Sequence, residues 1–378
     1  MMFTHFKKRM VNIFPSRPLT PTGCPGRKLA KGEQGKIKEG MMKKGKVVLG
    51  WIGAVALLMS LAGPAVAADK VKAAYVAIMN FAPLYLGIER GFMKEQNIEV
   101  EMQKVASGTE AMAFLAQGSL DAGGIGIGAS TYNAFNKGFD LRIVGSAAVQ
   151  PRKDGPTIII VRKDLRDSGK VKSVADLKGM KVALAGGAGT TGAYFVARAL
   201  KDAGLTVKDI DIVNLANPDM PLAIEKSSVD AALVGPPYSD QILAGGKGVL
   251  LAKDTAPGAM TTVFMYSGKF IKERPDTAKR FMVALVQGSR AMQGNRYLDP
   301  ANMKGYLRYV TSTEAAIRAG KPQVYDPDLK VDIDSVKNME DIFRWAGWTN
   351  YTTEIPQEKM ADTSFAANAV KVLGPYKP

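Results

Sequence analysis

Cysteine and histidine are almost absent from this chain: one Cys, Cys24, and one His, His5, among 378 residues. Both lie before Ala67, so the 311 residues after it have neither. That stretch therefore cannot form a disulfide, a reactive thiolate, a Ser-His-Asp triad or a His- or Cys-ligated zinc site. An enzyme built on it would be left with carboxylates, Lys and Tyr. No metal, cofactor or catalytic residue is called for. Acidic residues are also few, 35 against 51 basic, for a net charge of +16. Residues 1–67 carry 12 of the basic and 2 of the acidic residues, which leaves only +6 on the remainder. A charge that modest, without a dense basic run, does not call for nucleic acid.

Long apolar runs are scarce too. One stands out, Val47 to Ala62, preceded by Lys43, Lys44 and Lys46 and followed by Gly63-Pro64 and Ala65-Val66-Ala67. A basic start, a short apolar centre and an A-x-A end describe a secretory signal peptide at residues 41–67. A membrane span needs about 20 apolar residues. No Cys stands beside the cleavage point for a lipid anchor, so the expected product is free in the periplasm. Residues 1–40 are basic, rich in Gly and Pro, and aperiodic. With Met41 and Met42 directly before the lysines, they read as an untranslated or disordered leader.

What is there, from residue 69 on, is a run of strands alternating with helices. Lys72–Ile78, Ile98–Val105, Leu120–Ile127 and Leu141–Ala148 read as strands. Leu84–Glu95 and Gly108–Gln117 read as helices, the first after a loop at Met79–Pro83. The plan then recurs at an offset of 109: Lys72 maps to Lys181, Tyr85 to Tyr194, Ser119-Leu120-Asp121-Ala122 to Ser228-Val229-Asp230-Ala231, and Gly126 to Gly235. The fold class is α/β, in two lobes of one design, each a mostly parallel sheet flanked by helices. Lobe I is expected at 69–155 plus 255–378, where a helical tail packs back on it, and lobe II at 160–250. The chain would cross between them near Gly155–Thr157 and again near Ala252–Thr262, a double-crossover hinge.

In open α/β sheets, ligands sit beyond the carboxyl ends of the strands. The repeat therefore nominates three loop pairs: Asn80-Phe81 with Gly189-Thr190-Thr191, Ser107-Gly108-Thr109 with Asn217-Pro218-Asp219, and Gly128-Ala129-Ser130 with Pro236-Pro237-Tyr238. The Gly186–Gly192 turn opens an amphipathic helix in which Phe195, Val196, Ala199 and Leu200 face inward. Its free backbone N–H groups and the hydroxyls of Thr190 and Thr191 suit a carboxylate, sulfonate or phosphate. A plain N-cap is the competing account of the same threonines. Phe81, Tyr132 and Tyr238 offer aromatic walls, and Arg152 offers a guanidinium clamp. Gly187–Gly192 also fits the G-x-G-x-x-G dinucleotide pattern, but the acidic residue due about 20 positions on is missing from the end of the next strand. Asp326/Asp328 and Asp332/Asp334 read as solvated connector charges.

Several of these segments resemble nitrate/taurine/sulfonate-type solute-binding proteins of ABC importers, a group related to thiamine-precursor binders. They are Asn80-Phe81-Ala82-Pro83-Leu84-Tyr85 through Gly91-Phe92, Leu115-Ala116-Gln117-Gly118-Ser119-Leu120-Asp121, Asp176-Leu177-Lys178-Gly179, and Val229-Asp230-Ala231 with Pro236-Pro237-Tyr238. Asn97 stands where that family often has Gly. The resemblance implies a periplasmic-binding-protein fold, a small-molecule ligand, a membrane permease as partner, and a monomer. The residues it nominates with the loop analysis are Asn80, Phe81, Thr109, Ser130, Arg152, Gly189, Thr190, Thr191, Pro237 and Tyr238. A small organic anion is the expected ligand. A neutral heterocycle such as a thiamine-precursor pyrimidine is the alternative, and an enzyme on the same fold or a sensor ectodomain stands further off.

Overall fold

Two five-stranded sheets of one design carry the fold, seen in a computed structural model that describes residues 67–105 and 107–378. The leader and signal segment expected upstream lie, up to residue 66, outside the described residues. In chain order the strands are β1 (Asp69–Tyr75), β2 (Ile98–Lys104), β3 (Ala122–Gly126), β4 (Leu141–Val149) and β5 (Ile158–Arg162). There follow β6 (Lys181–Leu184), β7 (Asp211–Asn214), β8 (Ala231–Val234), β9 (Gly248–Lys253) and β10 (Met260–Ser267). The first sheet runs β2-β1-β3-β10-β4 and the second β7-β6-β8-β5-β9. Strands β5 and β10 are antiparallel to both neighbours, and the other pairings are parallel. Each half thus takes as its fourth strand, in antiparallel sense, the segment just beyond a crossing, an insertion the alternation pattern does not disclose.

The 109-residue offset holds at the level of single hydrogen bonds. Ala73 pairs with Ala122 and Val182 with Ala231, the same register in both halves. The Lys72 N–H donates to the Asp121 carboxylate at 2.9 Å, and the Lys181 N–H donates to Asp230 at 2.9 Å. Ser119 Oγ donates to the Phe114 carbonyl and Ser228 Oγ to the Ala223 carbonyl. Even the counter-ions correspond: Arg274 pairs with Asp121 and Arg162 with Asp230. An Asp here ends one strand's unpaired donor and anchors an arginine at once, which explains a carboxylate at both sites. Asp230→Ala is expected to cost about 1.5–3 kcal/mol, the range for a hydrogen bond to a charged group. A urea titration should show the midpoint falling with the slope unchanged.

Helices cover the sheets. Those needed below are α1 (Ala82–Glu89), α2 (Gly108–Ala116), α3 (Ala129–Asn136), α4 (Thr191–Asp202), α5 (Pro275–Arg290), α6 (Ile333–Trp345) and α7 (Ser364–Leu373). The single helix expected over Leu84–Glu95 breaks at Gly91, whose φ of 81° leaves the helical region. The loop expected before it is a tight turn of 3-10 helix, Met79–Phe81, running directly into α1. Helices α1, α5 and α7 pack on the first half. Helix α6 lies between the halves. It contacts α3 of the first half and α4 of the second, because Phe343 lies between Tyr132 at 5.7 Å and Tyr194 at 6.1 Å, ring to ring. Three of the four connector acids are ties: Asp328 accepts from Arg290, Asp326 turns the loop, and Asp332 caps α6.

The two crossings run side by side. The Asp254 carboxylate accepts the N–H groups of Asp154 at 3.0 Å and Gly155 at 2.7 Å. The Gln150 N–H donates to the Ala259 carbonyl at 2.9 Å. Lys253 sits 2.5 Å from Asp154 and holds that exposed carboxyl below its usual range. Among the described residues, no helix is long and apolar enough to cross a membrane.

Candidate functional site

A cleft of about 600 Å³ opens where three helices begin. It is lined by Ser107 and Thr109 at the start of α2, Ala129, Ser130 and Asn133 on α3, Gly186 to Thr190 before α4 without Gly187, and Gly347-Trp348 beyond α6. Two sheets and the tail thus meet on one space. Each helix leads away from the carboxyl end of a strand, β2, β3 or β6, so each presents its N-terminus. The first-turn N–H groups of a helix lack acceptors within it, and the aligned peptides leave a partial positive charge there.

The local sequence explains each start. Ser107 caps α2, its hydroxyl accepting the Glu110 N–H. Thr190 caps α4 by accepting the Ala193 N–H at 3.3 Å while donating to the Gly187 carbonyl at 2.8 Å. The turn before it needs Gly186, Gly187 and Gly189 at φ of 80°, 75° and 72°, a region that strains residues with a Cβ. Thr109 and Ser130 hydroxyls lie 3.2 Å apart and bond to each other. Asn133 fixes the tail: its amide oxygen accepts the Asn350 N–H at 2.8 Å, and its NH₂ donates to the Trp348 carbonyl.

No lining residue carries a titratable side chain. The surface is hydroxyls, one amide, one indole, small apolar groups and peptide. It can hold a charged group only through backbone dipoles and hydrogen bonds.

The halves also touch directly beside the cleft. Thr191 Oγ1 donates to the Ile127 carbonyl at 2.8 Å, and the Ala129 N–H donates to the Gly189 carbonyl at 2.8 Å. Gly126 and Gly128 permit that approach. A Cβ on Gly126 would lie 2.5 Å from Thr191 Oγ1, and one on Gly128 would lie 2.9 Å from the Gly189 oxygen.

Of the residues nominated from sequence, Thr109, Ser130, Gly189 and Thr190 lie together on the cleft wall. Thr191 is beside it, engaged in the contact between halves. Asn80 is half-buried and donates weakly to Thr262 at 3.4 Å. Phe81 is fully buried and belongs to the core of the first half, edge-on to Phe264. Tyr132 is likewise buried, its hydroxyl donating to the Val336 carbonyl at 2.6 Å. Arg152 is exposed, stacked near Gly258 at the crossing. Pro237 and Tyr238 open a helix in the second half, with Tyr238 against its core. Neither they nor Arg152 line this cleft. Gly187 packs on Asn214, the end of β7, where a dinucleotide site would hold a carboxylate.

Ser107, nominated with its loop, also lines the cleft, and its N-cap role is visible as Ser-x-x-Glu before an apolar run. Sequence reasoning missed Asn133, Gly347 and Trp348. For Trp348 no local pattern existed beyond a Gly-Trp step after a helix.

The paired sheets, the double crossing and the cleft between them define a periplasmic-binding-protein fold. Solved structures agree with it. The alkanesulfonate-binding protein SsuA from Xanthomonas axonopodis pv. citri, bound to MOPS, superposes with a TM-score of 0.62 at 19% identity, covering 78% of this chain and 99% of that one. The nitrate-binding protein NrtA from Synechocystis PCC 6803 gives 0.65 at 16% identity, covering 81% and 89%. The chain belongs to the NMT1-like family, whose profile matches residues 65–305. A relative from Escherichia coli, named for binding aliphatic sulfonates, is 36% identical over 145 residues, 38% of this chain. That stretch is 42% of the relative, so this chain aligns with less than half of it.

Proposed function

We propose that this protein is the extracytoplasmic binding component of an ABC importer and that it captures a small organic anion without transforming it. The observation that carries the reading is the convergence of three helix N-termini on one uncharged cleft between two halves. Each such terminus contributes about 0.3–2 kcal/mol toward a bound anion, more as water is excluded. A sulfonate or carboxylate presents several acceptor oxygens, which matches a wall of N–H and O–H donors. The names of the sulfonate- and nitrate-binding relatives point the same way.

Capture would follow by closure about the paired crossings, since lining residues come from both halves. Closure of a monomer offers a membrane permease a shape that depends on ligand. The place of action would be the periplasm. A neutral heterocycle is the second reading, favoured by the Trp348 indole and the lack of charged side chains in the lining.

Calorimetric titration with sulfonates, carboxylates and neutral pyrimidines decides between them. Sulfonates or carboxylates are expected to bind with micromolar or tighter affinity and to raise the melting temperature. Heat from pyrimidines alone would select the second reading, and heat from none would overturn capture at this cleft.

A further inference from the structure

Among the residues lining the cleft, Trp348 is the one large side chain; the rest are Gly, Ala, Ser, Thr and a single Asn. It comes from neither sheet. It arrives on a strap of the tail, residues 347–355, that leaves α6 through Gly347 at φ 70°. The strap is pinned. The Trp348 N–H donates to the Phe343 carbonyl at 3.0 Å, its carbonyl accepts from Asn133, and its ring lies 6.1 Å from that of Phe343. Gly189 faces it across the cleft, where a Cβ would lie 3.8 Å from the Trp348 Cβ, ordinary van der Waals contact. Further along, Glu340 accepts the Tyr351 hydroxyl at 3.0 Å and the Ile355 N–H at 2.9 Å, so the strap is tied at both ends.

We infer that Trp348 makes the cleft selective for anions whose body is a flat ring. This deepens the anion-capture reading and rests on it. The acid group would be met by the helix starts. The body would then lie along the strap, where small residues leave room and one indole face gives it shape. About 600 Å³ holds a six-membered ring with an acid group and falls within the usual range for small-molecule sites. A saturated tail would gain only nondirectional burial from the indole. An aromatic ring gains a stacking or edge contact as well, worth about three- to tenfold in affinity. Trp348 therefore sets which anion binds, and the helix starts set that an anion binds.

The test is calorimetry of the purified protein with benzenesulfonate and cyclohexanesulfonate, which share an acid group and six carbons. The wild type is expected to prefer benzenesulfonate about three- to tenfold. Trp348→Phe should keep the preference. Trp348→Ala should bring the ratio of the two affinities to within about twofold of one, with the melting temperature showing that the protein is folded. A wild-type ratio within about twofold of one, or a ratio that Trp348→Ala leaves unchanged, would overturn the inference. Failure of both probes to bind the wild type also overturns the inference, while anion capture is decided separately by the carboxylates and other sulfonates.

Discussion

A valine in place of Gly128 is expected to weaken anion binding by about ten- to a hundredfold while shifting the melting temperature by only a few degrees. The backbone itself tolerates the change, since Gly128 has φ −136° and ψ 175°. The obstacle is the other half of the molecule. A Cβ at this position lies 2.9 Å from the Gly189 carbonyl oxygen, and that oxygen already accepts the Ala129 N–H. Overpacking of this kind typically costs about 1–3 kcal/mol. With capture by closure, as proposed, parting of the halves would relieve it, and the cost would fall on the closed state and not on either folded half. An apparent affinity falls by the factor by which the competent state is depleted. Parting also breaks the bond from Thr191 to Ile127 and takes the Gly186–Thr190 turn away from Thr109 and Ser130. Calorimetry measures the first effect, and small-angle scattering should show a larger radius of gyration. Gly128→Ala should fall between. Unchanged affinity in the valine variant would mean that the ligand does not need the halves together.

Loss of Glu340 is expected to be the most destabilising single change in the tail. Its side chain is fully buried, and one carboxylate oxygen holds both Tyr351 and Ile355. Glu340→Ala leaves those two donors unpaired, at about 1–3 kcal/mol for each. A total of about 2–6 kcal/mol would appear as a lower urea midpoint. Glu340→Gln keeps an acceptor and separates charge from hydrogen bonding. Burial raises the Glu340 carboxyl above its ordinary 4.5, against the pull of Ile355, Tyr351 and Arg344. The folded protein then keeps that proton to higher pH than the unfolded chain does. Its contribution is full below about 4.5 and is lost as pH rises through the folded value. Hydrogen-bonded carboxylates such as Asp176 and Asp209 act in the opposite sense: their contribution is present above 3.8 and lost as pH falls. The Gln variant should therefore gain on wild type as pH rises from about 4 to 7. Urea titrations at the two pH values measure this, and a constant difference would contradict it.

The parts of the fold that could be read in the sequence are those carried by local pattern. Strand–helix alternation and the Lys72/Asp121 and Lys181/Asp230 correspondence are written in short segments, and the hydrogen bonds follow them. Strands β5 and β10 escaped because each is an apolar run at a crossing, and only pairing with a distant sheet assigns it. The sequence puts Phe81 on a wall because it precedes a helix start. Its ring is instead accommodated by β3, where a Cβ on Gly124 would lie 2.5 Å from Phe81 Cδ1. The clue was the unusual Gly123-Gly124 step inside a strand. For the site, the loops after β2, β3 and β6 were legible because helix starts and Gly-rich turns have signatures. The pseudo-symmetric partners of these loops do not share the cleft. Trp348 lies more than 150 residues from Thr190 along the chain, and its approach depends on Asn133 and Phe343, contacts no periodicity encodes.

A crystal structure of the protein with benzenesulfonate decides whether this cleft is where an anion is held. The sulfonate is expected among the first turns of α2, α3 and α4, within hydrogen-bond reach of main-chain N–H groups and of the Thr109/Ser130 hydroxyl pair. A ligand seated instead on Arg152 or Tyr238, with this cleft empty, would contradict it.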